Sequence, residues 1–174
     1  MRECTISVAC SWYVISTRSN CEKSASQMLV TLGIVHYLPL IEEVKRWSDR
    51  TKVISAPLFP GYLFVQIDGS AESQLVVRKV PGVVSFIANR EGPVAVEDHE
   101  VHRVRTLLDR GVRCSQHTFL ENGDRVRVIR GPLSGLEGTF LRSGAQSSLV
   151  ISVQAIRQAV SVSVAASDIE AVVE

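Results

Sequence analysis

Between Gly123 and Phe140 the chain reads GDRVRVIRGPLSGLEGTF, a stretch that holds four of the protein's 11 glycines among alternating aliphatic and polar residues. A period of two is the pattern of a half-buried strand, with Val126 and Val128 facing inward and Arg125 and Arg127 outward. The same period returns in GTFLR, LVISVQAI and AVSVSVAA. About four or five short strands in roughly 55 residues cannot build two layers, and closing into a small barrel buries one face and protects the edges. Tight closure needs sharp corners. Gly131 with Pro132, then Gly135 and Gly138, supply backbone conformations and close approaches that β-branched residues resist.

The preceding residues follow a different grammar. WYVISTR, Trp12 to Arg18, is β-rich and short, a first strand. Ser19 with Glu22 three residues on is the capping-box pattern and opens a helix, whose apolar positions Ala25, Met28, Leu29 and Leu32 share one face and which Gly33 closes. Extended segments flank Pro39, and Ser48 to Arg50 form the expected tip of a hairpin. GYLFVQID, Gly61 to Asp68, is the expected centre of a sheet. SQLVVRKV, Ser73 to Val80, fits a short helix or a strand; VSFIA is a further strand, and Asp98 caps a helix over 99–110 that Gly111 ends. The expected fold is therefore an α+β domain over residues 1–110, a mainly antiparallel sheet with flanking helices, then a polar linker at 111–119 and a small all-β barrel at 120–174.

Charge and composition narrow the function classes. With 19 Lys and Arg against 18 Asp and Glu, a formal +1, the chain has no bulk attraction for nucleic acid or membrane, so any basic surface is local. Its apolar runs fall far short of the ~20 residues of a membrane helix, and MRECTISVACSW is too short and polar for a secretory signal. A cytoplasmic location without membrane contact is expected. Cys4, Cys10, Cys21 and Cys114 form no C-x-x-C pair and are expected to be free thiols. His99, His102, Cys114 and His117 have the residue types of zinc ligands. The first two share a helix whose apolar stripe is Val101, Val104, Leu107 and Leu108, which turns them outward to solvent, so no metal is expected. No nucleophile elbow, P-loop or paired-carboxylate spacing is present, and the chain is expected to be a binding protein without enzymatic activity or cofactor.

The glycine-cornered stretch, with its G-P-x-x-G-x-x-G spacing ending at Gly138, resembles a KOW motif, the mark of a small SH3-type barrel. WYVISTR, PLFPGYLFVQID at Pro57 to Asp68 and VRKVPGVVSFI at Val77 to Ile87 resemble, in order, the successive signatures of a NusG N-terminal (NGN) domain. The resemblance covers nearly the whole chain and is to the bacterial NusG family of transcription elongation factors. A KOW-type ribosomal or translation-associated RNA-binding protein is the alternative. Such a protein saturates phosphates and is strongly basic, whereas residues 119–174 carry 5 basic and 6 acidic residues.

The resemblance implies a processivity or antitermination factor whose N-terminal domain docks on the clamp helices of the largest RNA polymerase subunit. An apolar pocket drawing on Trp12 or Tyr13, Phe59, Tyr62 and Phe64 would make that contact, since aromatics dominate interface hot spots. Arg18 and Lys23 fall where specialised members of the family touch the non-template DNA strand. SAPLFPGYLFVQID lies closer to the specialised RfaH and UpxY branch. In the barrel, the loop through which relatives contact Rho and the ribosome reads QAIRQA, with Ile156 in place of an aromatic and Arg157 following it where the relatives' glycine is lost. A ribosome contact is compatible with this loop, and Rho stimulation is not expected. The β-branched rows SLVISV and AVSVSV argue against any refolding of the barrel into helices.

Overall fold

The structure is a computed structural model that describes residues 10–46, 51–111, 114–117, 124–143 and 146–172. In chain order come β1 (Ser11–Thr17), α1 (Glu22–Thr31), β2 (Val35–Tyr37), β3 (Leu40–Arg46), β4 (Thr51–Pro57), β5 (Tyr62–Ile67), α2 (Ala71–Arg78) and β6 (Val83–Phe86). The two-residue strands β7 (Ala88–Asn89), β8 (Gly92–Pro93) and β9 (Ala95–Val96) follow, then α3 (Asp98–Asp109) and β10 (Cys114–His117). The chain ends in β11 (Asp124–Val128), β12 (Glu137–Ser143), β13 (Gln146–Val153), β14 (Gln158–Ser163) and β15 (Ile169–Ala171). Two compact units interleave along this sequence, one formed by Met1–Leu38 with Gly61–Glu97 and the other by Pro39–Pro60 with Asp98–Glu174.

The first unit is an antiparallel sheet in the order β2-β5-β1-β6, with β9 pairing β1 beyond the end of β6. Both central strands, β1 and β5, are the ones whose sequences are richest in aliphatic and aromatic residues. One sheet face, Ile15, Leu63, Val65, Ile67 and Phe86, buries itself against Ala25 and Leu29 of α1 and Val77 of α2. Each of these larger side chains contributes about 1.5–3 kcal/mol by leaving water, which is what holds two short helices that would not persist alone.

Both helices start differently from the sequence expectation. Ser19 does not cap α1: Cys21 occupies the N-cap without a side-chain hydrogen bond, and Glu22 opens the helix. Glu22 is instead buried, its Oε1 accepting the Gly61 N–H at 2.7 Å. The helix is also rotated so that Ala25 and Leu29 go inward, while Met28 and Leu32 stay 40% and 47% exposed. For α2, cap chemistry decides between helix and strand, because Ser70 Oγ accepts the Ser73 N–H at 3.2 Å. At the sheet edge His36 Nδ1 donates to the Ile34 carbonyl at 3.0 Å, leaving Nε2 to accept the Ser26 hydroxyl at 2.8 Å and tie α1 to β2.

In the second unit β3 and β4 form a hairpin from Leu40↔Pro57 to Arg46↔Thr51, closed at its base by Leu58 N–H donating to the Pro39 carbonyl at 2.8 Å. Its expected tip, Ser48 to Arg50, lies outside the described residues. The C-terminal strands form one antiparallel sheet in the order β10-β14-β13-β12-β11-β15. The segment expected to be wholly linker therefore contributes an end strand, paired from Cys114↔Val162 to His117↔Ala159. On β13 the consecutive residues Leu149, Val150 and Ile151 are all buried. A strand with both faces covered loses the simple alternation, and α3 packs on this one.

Gly138 shows why the corner stretch is rich in glycine. A Cβ there would sit 2.6 Å from the Val150 carbonyl oxygen and 3.1 Å from Leu149 Cδ1, so β12 approaches β13 too closely for a side chain. Gly131 and Gly135 meet the other requirement, with φ of +81° and +87°.

Candidate partner-binding surfaces

Strand register sorts the aromatic residues. Pairing of Tyr13 with Val65 puts Tyr13 on the helix-covered face, where its ring lies edge-on to Phe86 at 6.2 Å. Gly69 lies beneath it, with room for no Cβ, which would come within 2.6 Å of the Tyr13 hydroxyl. Pairings Val14↔Phe64, Ser16↔Tyr62 and Trp12↔Gln66 place Trp12, Tyr62 and Phe64 together on the opposite face. Tyr37, which no sequence signal singled out, joins them through its pairing with Phe64, the two rings 6.2 Å apart and tilted by 35°. Only the register of the three-residue strand β2 exposes that relationship.

Burial then separates anchors from surface. Trp12 is 7% exposed, Phe59 1% and Phe64 0%, so these three rings serve as interior packing. Tyr62 and Tyr37 are half-buried and carry the aromatic share of the surface on their face. Arg18 and Lys23 are both exposed, one just past β1 and the other in the first turn of α1. The Arg18 backbone is fixed by its N–H donating to the Gly82 carbonyl at 2.8 Å.

At the C-terminal sheet, Gln154–Ile156 form a single 3-10 turn between β13 and β14. Ile156 is 8% exposed and points into the unit's core rather than out of the loop. Arg157 is exposed and adopts a left-handed backbone with φ of +49°, a conformation that favours glycine. The turn is held from the helix side, because Glu100, itself buried, accepts the Gln154 N–H at 3.4 Å.

Further along the same helix, Arg103 donates to Glu137 Oε2 at 3.3 Å, and Arg127 Nε donates to Glu137 Oε1 at 2.9 Å with its Nη2 on the same oxygen. Hydrogen bonding from Arg127, reinforced by the charges of Arg127, Arg103 and Arg125, holds the Glu137 carboxyl below its ordinary range against a smaller opposing effect of burial. Arg110 Nη1 donates to the carbonyls of Pro132 at 2.7 Å and Ser134 at 2.9 Å. Of the zinc-type residues, His99 and His102 lie exposed on α3, and the side chains of Cys114 and His117 fall outside the described residues. Among the described residues no group of three or more His, Cys, Asp or Glu is placed to hold a metal ion, and no helix is long and apolar enough to cross a membrane.

A helix-backed antiparallel sheet is followed along the chain by a glycine-cornered antiparallel β sheet. The family model described as transcription termination factor nusG matches residues 10–105, from the start of β1 into α3. The chain belongs to the NusG family. It is similar to the transcription termination/antitermination protein NusG of Thermus thermophilus, 31% identical over 146 residues that cover 74% of this chain and 79% of that protein. The protein of the same name from Helicobacter pylori is 25% identical over 140 residues, covering 74% and 78%. The fold is that of a solved structure described as domain interaction in Thermotoga maritima NusG, with a TM-score of 0.57, 22% identity and coverage of 94% of this chain and 98% of that one. Its role is in transcription, as a member of a family of transcription factors.

Proposed function

We propose that this protein is a transcription elongation factor of the specialised branch, which binds RNA polymerase through its N-terminal domain and promotes readthrough without stimulating Rho. The observation that carries the transcription-factor part of the reading is the family match over residues 10–105. On this reading residues 1–110 are the NGN domain and 120–174 a KOW barrel of the SH3 type, joined by 111–119, whose Cys114–His117 pairs with β14 as an end strand. The family match, over residues 10–105, falls within the first of these domains.

Docking on the polymerase clamp helices falls to the sheet face that carries Tyr62 and Tyr37, with Trp12 and Phe64 as the packed layer beneath. Phe59 holds the backbone before the Pro60–Gly61 turn rather than meeting the partner directly, because only 1% of it reaches solvent. Arg18 and Lys23, both exposed, are placed to meet the non-template DNA strand. The burial of Ile156 supports the expected loss of the Rho contact, since an aliphatic already used in the core offers no anchor at the loop surface. A ribosome contact through the exposed Arg157 side of the same loop is compatible with this geometry.

The experiment is co-purification with core RNA polymerase from the cognate organism, followed by transcription on a Rho-dependent template. Binding with increased readthrough supports the proposal. Termination moved upstream would place the protein on the housekeeping branch, and absence of polymerase binding would defeat the reading.

A further inference from the structure

The two helices that cover the sheet of the first unit leave a groove between them. Met28 and Leu32, at the C-terminal end of α1, form one wall, and Val76, Lys79, Val80 and Pro81, at the C-terminal end of α2, form the other, around a volume of about 240 Å³. Met28, Leu32 and Val76 are exposed although each is apolar, at 40%, 47% and 43%. The sheet is covered without them, since Ala25, Leu29 and Val77 supply the buried contacts. Exposed apolar side chains gathered in one concavity mark an interaction surface, whereas single ones scattered over a protein do not.

Spacing and charge define the occupant. Met28 with Leu32, and Val76 with Val80, are each four residues apart, so each wall is an i, i+4 ridge. Between two such ridges the complementary body is the ridge of a third helix, docked by aliphatic anchors at i, i+3 or i+4, and i+7. Charge sets the polar side of that helix. Segments 23–41 and 73–90 carry Lys23, Arg78, Lys79 and Arg90 and no Asp or Glu. Arg78 stacks over the Phe86 ring, 5.8 Å from its centre. Lys79 is exposed in the groove wall, and no carboxylate lines the groove among the described residues. A carboxylate on a partner therefore meets an ammonium group there and no like charge.

We infer that this groove docks an acidic amphipathic helix of a partner protein, its aliphatic face between the two walls and a carboxylate on Lys79. A second copy of the chain fits less well. The apolar stripe of α3 is buried, the exposed apolar residues of α1 and α2 are those of the groove itself, and each copy would bring its own Lys79. Nucleic acid fits poorly too, because aliphatic walls offer a phosphate no hydrogen bond. The two helices cover the sheet face opposite Tyr62, so the inference does not depend on polymerase binding.

The test uses the full chain. Its probe is a short synthetic helix with leucines at i, i+3, i+4 and i+7 and glutamates flanking them, hydrocarbon-stapled because a free peptide of that length is only marginally helical. It is titrated by fluorescence anisotropy beside a version with glutamine in place of every glutamate, while the amide resonances of residues 28–32 and 76–80 are followed. The glutamate peptide is expected to bind saturably and shift these resonances. The double variant Met28→Gln, Val76→Gln, altered at exposed positions, is expected to keep the parent's unfolding midpoint and to bind about tenfold more weakly. Lys79→Gln is expected to weaken the glutamate peptide about threefold and to leave the glutamine peptide unaffected. The inference is overturned if the glutamate peptide does not bind, if it binds without shifting the groove resonances, or if the double variant folds and binds like the parent. Equal effects of Lys79→Gln on both peptides overturn the acidic assignment. Self-association of the parent that the double variant abolishes, read by sedimentation, would give the groove to a second copy, and displacement of the peptide by a single-stranded oligonucleotide would give it to nucleic acid; either overturns the inference.

Discussion

Glu22 and Gly61 lie 39 positions apart in the chain and are joined by a hydrogen bond of 2.7 Å from the Gly61 backbone N–H to a carboxylate that is only 5% exposed. The Gly61 carbonyl in turn accepts the Thr17 N–H at 2.8 Å, so the turn that precedes β5 is clamped to both α1 and β1. Replacing Glu22 with Ala strands a buried donor, which costs about 1–3 kcal/mol. Glu22→Gln keeps an acceptor and is expected to lose less than half as much. Urea denaturation of both variants separates these outcomes, and equal losses would show that the charge rather than the hydrogen bond matters.

Gly138→Ala is expected to be among the most damaging single changes in the C-terminal sheet. The added methyl would meet a backbone carbonyl at 2.6 Å, and a paired strand cannot yield as a flexible side chain can. Forced overpacking of this kind costs about 1–3 kcal/mol. Gly131→Ala meets no atom within 4 Å and suffers only from its φ of +81°, a cost nearer 1–2 kcal/mol. Thermal unfolding should therefore rank Gly138→Ala below Gly131→Ala in stability; the reverse order would refute the close-approach account of the corner stretch.

These cases show what the sequence made legible and what it hid. Period-two alternation located β11 to β14, and the aliphatic and aromatic richness of WYVISTR and GYLFVQID located the two central strands, because both signals reflect burial by neighbours in the same sheet. The capping box at Ser19 failed for a nonlocal reason. Glu22 satisfies a donor on a distant turn in place of its own helix end, and no spacing within α1 records that demand. Likewise the aromatic cluster was visible as a set, but only register separated Tyr13 from Trp12, Tyr62 and Phe64 and added Tyr37. The polar stretch around Cys114 lacks any pattern of its own and becomes a strand by pairing with the regular β14.

Arg157 pays for a left-handed backbone at the turn between β13 and β14. Such a conformation costs an L-residue roughly 1–2 kcal/mol, and glycine removes that strain while restoring about 0.4–1 kcal/mol of unfolded-chain entropy. Arg157→Gly is thus expected to stabilise the protein by several tenths of a kcal/mol to about 1 kcal/mol. A denaturation midpoint lower than the parent's would mean that the arginine side chain contributes more than its backbone costs.

Glu137 gives the second unit a defined acid response. Its carboxyl titrates below the ordinary value of 4.5 in the folded protein, held down first by the Arg127 hydrogen bond and then by neighbouring guanidinium charge. The stabilisation is present above the unfolded value and is lost as pH falls through the folded one. Partial exposure limits it to about 1 kcal/mol or less. Comparing Glu137→Gln with the parent between neutral pH and the acid range, the stability difference should shrink as the parent's carboxylate is protonated. A difference that stays constant across that range would assign the effect to packing.

Tyr62 and Phe59 separate partner contact from interior support. Phe59 is 1% exposed, so Phe59→Ala removes a core ring and is expected to cost about 3–5 kcal/mol of stability. Any loss of polymerase binding by that variant follows from unfolding. Tyr62 is half-buried on the face shared with Trp12 and Phe64, opposite Ser16 in the β1–β5 ladder, and truncating it leaves the helix-covered core untouched. An aromatic hot spot at an interface is worth at least about 2 kcal/mol, which corresponds to roughly thirtyfold in affinity. Tyr62→Ala is therefore expected to remain folded, by circular dichroism and unfolding midpoint, yet bind core RNA polymerase about thirtyfold more weakly. A folded Tyr62→Ala that binds like the parent would remove this sheet face from the proposed interface and leave the polymerase contact to be sought elsewhere on the N-terminal unit.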